Sequence, residues 1–477
     1  MEWIGYFRGN NYYIQLSSKY NLQNNILRLE FSSIEEQCQL KYNRFLESPL
    51  GGLYKAIPWT RLVQSLKLSS RETRGRKPIF DTRGKIALMF LKAYYDCPDK
   101  DLMERVYSDY MVQFFCGVHF TAEDKIPNYK LISEVRGELG IKLDWDIFQQ
   151  ELASHWQPFM KDLDKVLSDA TCYESDIRYP TDVKLLWECC EWLKKSSDQV
   201  CDRYNLCRPK NKYNEQLVKQ VDYSKRKKKS HKLTQARIKS LLYLLDKLKG
   251  QLEGLMAYVP MEDLSQMAKY FSCIHTIGMV YEQQLEKYET GKHPENRIVS
   301  LNKPYLRPIK RGKESKPTEF GAKVNMVQVD GINFVEHFSY DAFHEGNRLQ
   351  SSIEFHERLF GTKCERFGGD TIYATNANRK FCNSGERKIQ TSFLPKGPKA
   401  KDEEEKREKR IALAKNRATH MEGSFGVEKR RYGLSRIKAR NEHTEKLWIF
   451  FGVHTANAVR MASKMQKAEN IPIQDAA

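Results

Sequence analysis

The chain has 477 residues, of which 40% are hydrophobic and 30% charged, and its formal net charge is +19 at pH 7. These values exclude an intrinsically disordered chain, and the length suggests about three domains, or two with a large insertion. The eleven cysteines are odd in number, no cationic-then-apolar signal opens the chain, and the most apolar stretches, 86–95 and 447–453, are too short for a membrane span. Secreted disulfide-rich and transmembrane classes are therefore excluded, and we expect a cytoplasmic protein that contacts a polyanion.

The first 150 residues are basic and have the pattern of successive short helices. Apolar stripes start at 61–66 and 86–94, and a third helical segment covers 102–115. Small helical bundles of this kind are common among DNA-binding modules. We therefore expect residues 1–150 to form a helical DNA-binding region.

A short basic segment, Arg74-Gly75-Arg76-Lys77-Pro78, lies between two of these expected helices. Two arginines separated by glycine can enter a narrow A·T-rich minor groove, where the potential is most negative. The alternatives are nonspecific phosphate contact and a flexible linker. Minor-groove insertion and phosphate contact would both make Arg74, Arg76 and Lys77 candidate DNA contacts.

Residues 191–318 read as a mostly helical, basic insertion, with apolar residues at helical spacing from Leu233 to Met256. Before this helix comes the run Lys225-Arg226-Lys227-Lys228-Lys229, for which a solvated loop and a phosphate-contacting surface are equally good interpretations. A second cationic segment spans 303–316. Its expected contacts with the DNA backbone include Arg307, Arg311 and Lys313.

The pattern changes after residue 318. Two β-rich runs, 324–329 and 332–338, flank Asp330-Gly331, which predicts a β-hairpin. The elements expected next are a helix at 346–360, a strand at 364–367 that ends in Gly368-Gly369-Asp370, a strand at 389–394, and a long helical region from 402 to 465.

If residues 166–169 form an earlier strand, this order resembles an RNase H-like sheet with a helical insertion after its first strand. The predicted fold class is therefore α/β. The core would consist of 151–190 and 319–465, interrupted by 191–318, preceded by the DNA-binding region and followed by a tail at 466–477. In that architecture, acids at the ends of two central strands and on a C-terminal helix meet at one point. Asp169, Asp370 and Glu422 occupy these places.

Three neighbouring carboxylates repel one another unless cations neutralise them, and hard oxygen ligands suit Mg²⁺ or Mn²⁺. Two such ions, about 4 Å apart, can activate an attacking oxygen and stabilise a leaving oxygen at a phosphodiester. A competing metal site would use His337, Asp341, His344, Glu345 and His356. Their spacing matches no known zinc motif, which favours structural roles.

The chain resembles the DDE transposases of bacterial insertion sequences, in particular the insertion sequence four and five groups, from about residue 45 to 465. The resemblance rests on motifs in the right order: Ser168-Asp169-Ala170-Thr171, Tyr179-Pro180-Thr181-Asp182, Gly369-Asp370-Thr371-Ile372-Tyr373, and Glu422-Gly423-Ser424-Phe425-Gly426-Val427-Glu428-Lys429. It implies that Asp169, Asp370 and Glu422 hold the catalytic metal. It also implies that Lys429, seven residues after Glu422, contacts DNA near the cut.

The sequence departs from the family pattern at two positions. Thr371 stands where relatives often have lysine. Arg417, a further DNA contact by resemblance, lies five residues before Glu422, where four are expected. An additional residue in a regular helix would rotate Arg417 away from the site.

The function implied by this resemblance is cleavage at the ends of an insertion sequence, followed by transfer of the freed 3′-hydroxyl into target DNA. The partners would be double-stranded DNA, as terminal inverted repeats and as target, with a homodimer or higher assembly that pairs two ends near the bacterial nucleoid. Two alternatives remain open. One is a metal-dependent nuclease of the same fold without strand transfer, and the other is an inactive DNA-binding protein derived from a transposase.

Overall fold

The structure is a computed structural model. It describes residues 3–8, 11–16, 26–29, 34–66, 78–121, 123–310, 317–385, 387–396 and 403–469, with side chains from residue 36 onward. Residues 3–29 include a three-stranded antiparallel sheet of β1 (Trp3–Arg8), β2 (Asn11–Leu16) and β3 (Ile26–Leu29). The expectation of helix throughout 1–150 is therefore wrong for this segment.

Helices follow from residue 34 to 156. They are α1 (Ile34–Glu47), α2 (Pro49–Lys55), α3 (Trp59–Ser65), α4 (Thr82–Tyr95), α5 (Asp99–Ser108), α6 (Tyr110–Cys116), α7 (Lys130–Lys142) and α8 (Trp145–Trp156), with a 3₁₀ turn at Gln157–Phe159. Four of them begin at a polar side chain that accepts a hydrogen bond from a backbone N–H of the first turn: Ser48, Asp81, Asp109 and Asp144. The segment expected as one helix at 102–115 is two helices, separated by the cap at Asp109.

A mixed sheet forms the centre of the chain. Its strands are β4 (Lys165–Glu174), β5 (Pro308–Lys310), β6 (Thr318–Val329), β7 (Ile332–Ser339), β8 (Arg366–Gly368) and β9 (Gln390–Thr391). β6 and β7 are the predicted hairpin, and Gly331 at its turn has a φ of 81°, which favours glycine. β4 pairs with β6 on one side and with β8 on the other, and β9 follows β8.

Five helices lie between β4 and β5. They are α9 (Asp182–Arg203), α10 (Tyr213–Lys225), α11 (His231–Met256), α12 (Met261–Leu264) and α13 (Ala268–Thr290). Together with the segment to Leu301 they surround a hydrophobic core of their own, and we call residues 182–301 the helical unit. Its two ends are joined because Asp182 pairs with Lys287 at 2.6 Å and with Arg297 at 3.0 Å.

The remaining helices are α14 (Leu349–Phe360), α15 (Asn376–Cys382), α16 (Glu403–Asn416), α17 (Glu422–Arg431) and α18 (Glu442–Glu469), with 3₁₀ turns at Glu345–Arg348 and Thr371–Tyr373. The helical region expected without a break from 402 to 465 is interrupted between α17 and α18. A five-residue π-helical segment, the π-turn (Arg417–Met421), joins α16 to α17.

The N-terminal helices share one hydrophobic core with the sheet and α18. Phe90 of α4 packs against Phe451 of α18 with ring centroids 5.1 Å apart, and Phe148 of α8 packs against Phe450 at 5.3 Å. Among the described residues, no helix is both long enough and apolar enough to cross a membrane.

Candidate active site

Two aspartates lie side by side on neighbouring parallel strands. β4 and β8 pair in parallel with Leu167 opposite Gly368, so that the residues two positions further on, Asp169 and Asp370, are level with each other. Asp370 lies two residues after the end of β8, close to the predicted strand end. Asp169 lies in the middle of β4 instead of at its end, because β6 continues to pair with β4 as far as Glu174.

Gly368 allows a helix to approach the sheet closely at this point. A Cβ atom at Gly368 would lie 2.6 Å from Leu167 Cδ2 and 3.2 Å from the carbonyl oxygen of Leu413 in α16. The absence of a side chain therefore brings the end of α16, and the π-turn after it, directly over the two aspartates.

Arg417, the first residue of the π-turn, bridges the aspartates. Its Nη1 lies 2.9 Å from Asp169 Oδ2, and its Nη2 lies 3.3 Å from Asp370 Oδ1. The expectation that the additional residue before Glu422 turns Arg417 away is wrong. A π-helical turn hydrogen-bonds residue i to i+5, so it accommodates the extra residue and keeps Arg417 above the turn that begins at Glu422.

The two carboxylates differ in their exposure to solvent. The side chain of Asp169 is 13% exposed, whereas that of Asp370 is 49% exposed. Burial raises the pKa of Asp169 to about 6, with a further rise from the nearby Glu345, even though Arg417 acts to lower it. Burial would lower the pKa of Arg417, but the two aspartates outweigh that effect and raise it. Burial therefore disfavours the charged form of Asp169 despite the neighbouring guanidinium group.

α17 is anchored along β4 by its last two turns. Lys429 Nζ donates to Thr171 Oγ1 at 2.9 Å and lies 5.5 Å from the centre of the Tyr173 ring. Glu428 is buried and accepts hydrogen bonds from the Tyr173 hydroxyl and, at 2.6 Å, from Asn333 Nδ2. These contacts give Glu428 a structural role and place Lys429 two residues along the strand from Asp169.

Glu422 occupies the first position of α17, between Arg417 and Lys429. Seven residues are close to two full helical turns, so Glu422 and Lys429 share one face of the helix. The Glu422 side chain is exposed, and within the described part of the chain it makes no hydrogen bond or ion pair. No group of three His, Cys, Asp or Glu side chains among the described residues is close enough to hold a metal ion. The convergence of all three acids therefore stays a prediction.

Further polar residues surround Asp169 that the sequence did not single out for this site. Glu345 raises the pKa of Asp169 and pairs with Lys323 at 2.9 Å. Tyr373 donates to Asn325 Oδ1 at 2.9 Å on the opposite face of β4. Lys323 and Asn325 reach this site because β6 pairs with β4, which the sequence analysis did not predict.

The competing histidine set does not assemble. His356 is buried and lies 2.7 Å from the carbonyl oxygen of Leu163, and His337 packs against Phe343. These are the structural roles expected from their spacing.

Comparison with known proteins gives two family-model matches. The model of the transposase DDE domain matches residues 368–455, which include Asp370, Arg417, Glu422 and Lys429. The model of the transposase domain (DUF772) matches residues 37–138, most of the N-terminal helices. The two matches indicate an insertion-sequence DDE transposase. No curated protein and no solved structure matches the chain.

The two matches cover some parts of the chain and leave others unmatched. Asp169 and the helical unit lie outside both matched segments, so the matches do not test the role predicted for Asp169. DDE transposases act on DNA and generally use divalent metal ions. The DDE match therefore agrees with a site built from carboxylates.

The cations predicted to contact DNA fall into three groups. Arg307 is half-buried and donates to the carbonyl oxygens of Pro304 and Leu306, so it fixes the local chain. Arg417 and Lys429 lie at the site. The others are outside the described residues: Arg74, Arg76, Lys77, Arg311 and Lys313.

Proposed function

We propose that the protein cleaves the ends of its own insertion sequence in a reaction that depends on Mg²⁺ or Mn²⁺, and then transfers the freed 3′-hydroxyl into target DNA. Asp169, Asp370 and Glu422 are the proposed metal ligands. One observation carries the proposal: two aspartates on parallel strands contact a single arginine on the helical stretch that leads into Glu422.

The residues fit a divalent cation. Asp169 is buried with a raised pKa and a second carboxylate beside it, an arrangement that disfavours two negative charges unless a cation is present. Arg417 supplies one positive charge, and carboxylate oxygens are the donors that Mg²⁺ and Mn²⁺ prefer. Held by these carboxylates, a pair of divalent ions would supply activation of the attacking oxygen and stabilisation of the leaving oxygen at a phosphodiester.

The protein's own cations then position the DNA strand. Lys429 donates to Thr171, which is two residues along β4 from Asp169, and from there its ammonium group can contact a phosphate beside the cut. Arg417 contacts both aspartates, and its planar guanidinium is suited to hydrogen-bond the phosphate oxygens of DNA. Holding the phosphate and the attacking oxygen in line lowers the barrier, because the entropy cost of orienting them is met on binding.

The rest of the chain supports the same proposal. The strand order around β4 agrees with an RNase H-like core, with the helical unit as an insertion after the first strand. The N-terminal helices would recognise the terminal inverted repeats. Because two ends must be paired, the working form would be a homodimer or a higher assembly on DNA in the bacterial cytoplasm.

Three single substitutions test the site: Asp169→Asn, Asp370→Asn and Glu422→Gln. Each keeps the size of the side chain and removes the charge that a metal needs. We expect Mg²⁺-dependent cleavage of duplexes carrying the element ends to fall about 100-fold or more in each variant, with duplex affinity retained. Glu404→Gln, an exposed carboxylate on α16, is the matched control and should cleave normally.

The products separate transposition from its alternatives. A transposase gives joined products in which the 3′ end of the element is linked to target DNA, whereas a nuclease gives cut ends alone. Near-normal cleavage in any of the three variants would rule out the proposed set of acids. Sequence-specific binding of the ends by the unmodified protein without cleavage in Mg²⁺ or Mn²⁺ would instead indicate an inactive, DNA-binding descendant.

A further inference from the structure

The strongest concentration of positive charge in the chain lies in the helical unit. From Tyr213 to Lys239 there are nine Lys and Arg residues against two acids, a net charge of +7 out of the +19 of the chain. Five of these cations are consecutive, Lys225 to Lys229, and we call them the basic turn. All five are exposed, and none pairs with a carboxylate within the described part of the chain.

The basic turn is held in place by the helices on either side of it. Arg237 of α11 is buried and donates to Gln220 Oε1 and to the carbonyl oxygen of Gln216, both at 2.9 Å, which fastens α10 to α11. Closer to the turn, the hydroxyls of Tyr223 and Thr234 lie 3.0 Å apart. Five like charges are therefore fixed near one another, an arrangement whose repulsion an anionic partner would relieve.

Side-chain contacts show at which end of the helical unit the basic turn lies. Arg237 lies 6.0 Å from the ring of Trp187, and further along both helices Cys190 Sγ lies 3.9 Å from the carbonyl oxygen of Leu241. α9 and α11 therefore run in the same direction, with their first residues at the same end. The first residue of α9 follows β4 after only a short connection, 175–181.

The basic turn is consequently at the sheet end of the helical unit. Arg237 is six residues after the start of α11, and Trp187 is five residues after the start of α9. At 1.5 Å per residue, both helices therefore begin about 8–9 Å before the contact between Arg237 and Trp187, at nearly the same level. β4, which carries Asp169, leads directly into this end.

We propose that the basic turn binds the phosphate backbone of the DNA duplex that reaches the candidate active site. A duplex carries one negative charge per about 1.7 Å of its axis, which matches a compact group of exposed lysines. The contact carries no sequence information, so it would add affinity and fix the path of the DNA. This inference rests on the proposed function, since it assumes that DNA is the substrate.

The test uses the full chain and a fluorescein-labelled 40-base-pair duplex of mixed sequence. We compare the unmodified protein with the triple variant Lys227→Gln, Lys228→Gln, Lys229→Gln by fluorescence anisotropy over a range of NaCl concentrations. Each phosphate contact contributes about 0.9 to the slope of log K against log salt concentration. The triple variant should lose about two to three units of this slope and bind about tenfold or more weakly at low salt.

A second triple variant controls for the change in total charge: Lys195→Gln, Lys247→Gln, Lys269→Gln. These lysines are exposed and belong to the same helical unit, but they lie further along α9 and α11 or at the start of α13, away from the sheet end. The control should keep the slope of the unmodified protein. An unchanged slope in the first variant, or an equal loss in both variants, would overturn the inference and leave the basic turn as a solvated loop.

Cleavage by the unmodified protein keeps the two proposals separate. If the unmodified protein does not cut but the first variant alone loses salt-dependent affinity, the proposed function fails and the DNA contact stands. If the unmodified protein cuts the ends and both variants bind alike, only the contact fails. Circular dichroism of each variant shows whether the helices are intact.

Discussion

Glu428 is a fully buried carboxyl group one residue before Lys429. Burial raises its pKa to about 7, although hydrogen bonds from Tyr173 and Asn333 and the charges of Arg460 and Lys429 all act to lower it. The unfolded chain would titrate this group near 4.5. Folding therefore favours its protonated form.

This difference predicts how Glu428 affects stability as a function of pH. Between pH 4.5 and about 7 the folded state keeps a proton that the unfolded state has released, so this contribution to stability is full below pH 4.5 and is lost as the pH rises through 7. A shift of this size corresponds to a loss of about 3 kcal/mol. Glu428→Gln should remove it, so that the free energy of unfolding changes less between pH 5 and pH 8 than in the unmodified protein.

Chemical denaturation at the two pH values measures this effect. Glutamine can still accept from Asn333 and donate to the Tyr173 hydroxyl, so the fold should be retained. Glu404→Gln, which changes an exposed carboxylate, should leave the pH dependence as it was. The same fall in stability in Glu428→Gln as in the unmodified protein would show that Glu428 is ionised in the folded state.

At the scale of single elements, the π-turn determines whether Arg417 reaches the aspartates. Glu422 is the fifth residue after Arg417, and the wider π-helical winding keeps the two aligned at this spacing. Removal of one exposed residue, Thr419, leaves a spacing of four, which a regular α-helix also aligns. We expect this deletion to retain metal-dependent cleavage within about tenfold, because Arg417 still faces Asp169 and Asp370.

Deletion of Ala418, Thr419 and His420 together is the contrasting variant. It leaves a spacing of two, about 200° around a regular α-helix, which places Arg417 on the side opposite Glu422 while α17 stays anchored through Glu428 and Lys429. Cleavage by this variant should be much weaker, with helix content by circular dichroism unchanged. Equal activity of the two deletions would mean that the alignment of Arg417 does not matter.

The sequence allowed part of this arrangement to be predicted. The hairpin around Asp330-Gly331 and the strand that ends before Asp370 follow from turn residues and alternation, which act locally. The winding of the helix at Arg417 does not follow from local sequence, because one extra residue can either rotate a side chain or be accommodated in a π-turn. The choice depends on contacts such as those with Asp169, far away in the chain.

The break between α17 and α18 could have been found. Gly433 has a φ of 69°, in the left-handed region that commonly ends a helix, and it follows the basic last turn of α17. The strands at 3–16 could also have been found, because two runs rich in aromatic residues are separated by the pair Gly9-Asn10, which is typical of a hairpin. Local pattern therefore gave the types of most elements, while contacts between distant residues determined the geometry of the site.

At the scale of the whole molecule, the N-terminal helices and the catalytic sheet are not separate in their packing. α18 lies between them, with Phe450 and Phe451 against Phe148 and Phe90 on one side. The helical unit, in contrast, has a core of its own around Leu245, which is fully buried. The destabilisation caused by removing a core side chain should therefore reach different elements, depending on which of the two cores contains that side chain.

Phe90→Ala and Leu245→Ala form the pair that tests this. Each opens a cavity and should cost about 3–4 kcal/mol of stability. In Phe90→Ala we expect hydrogen exchange to speed up in α4, α18 and β4 together, because they belong to one core, and metal-dependent cleavage to decline at lower temperature than in the unmodified protein. In Leu245→Ala faster exchange should be confined to residues 182–301, with β4 protected as before. If Phe90→Ala leaves the exchange of β4 unchanged, the N-terminal helices unfold independently, and the shared core does not couple them to the sheet.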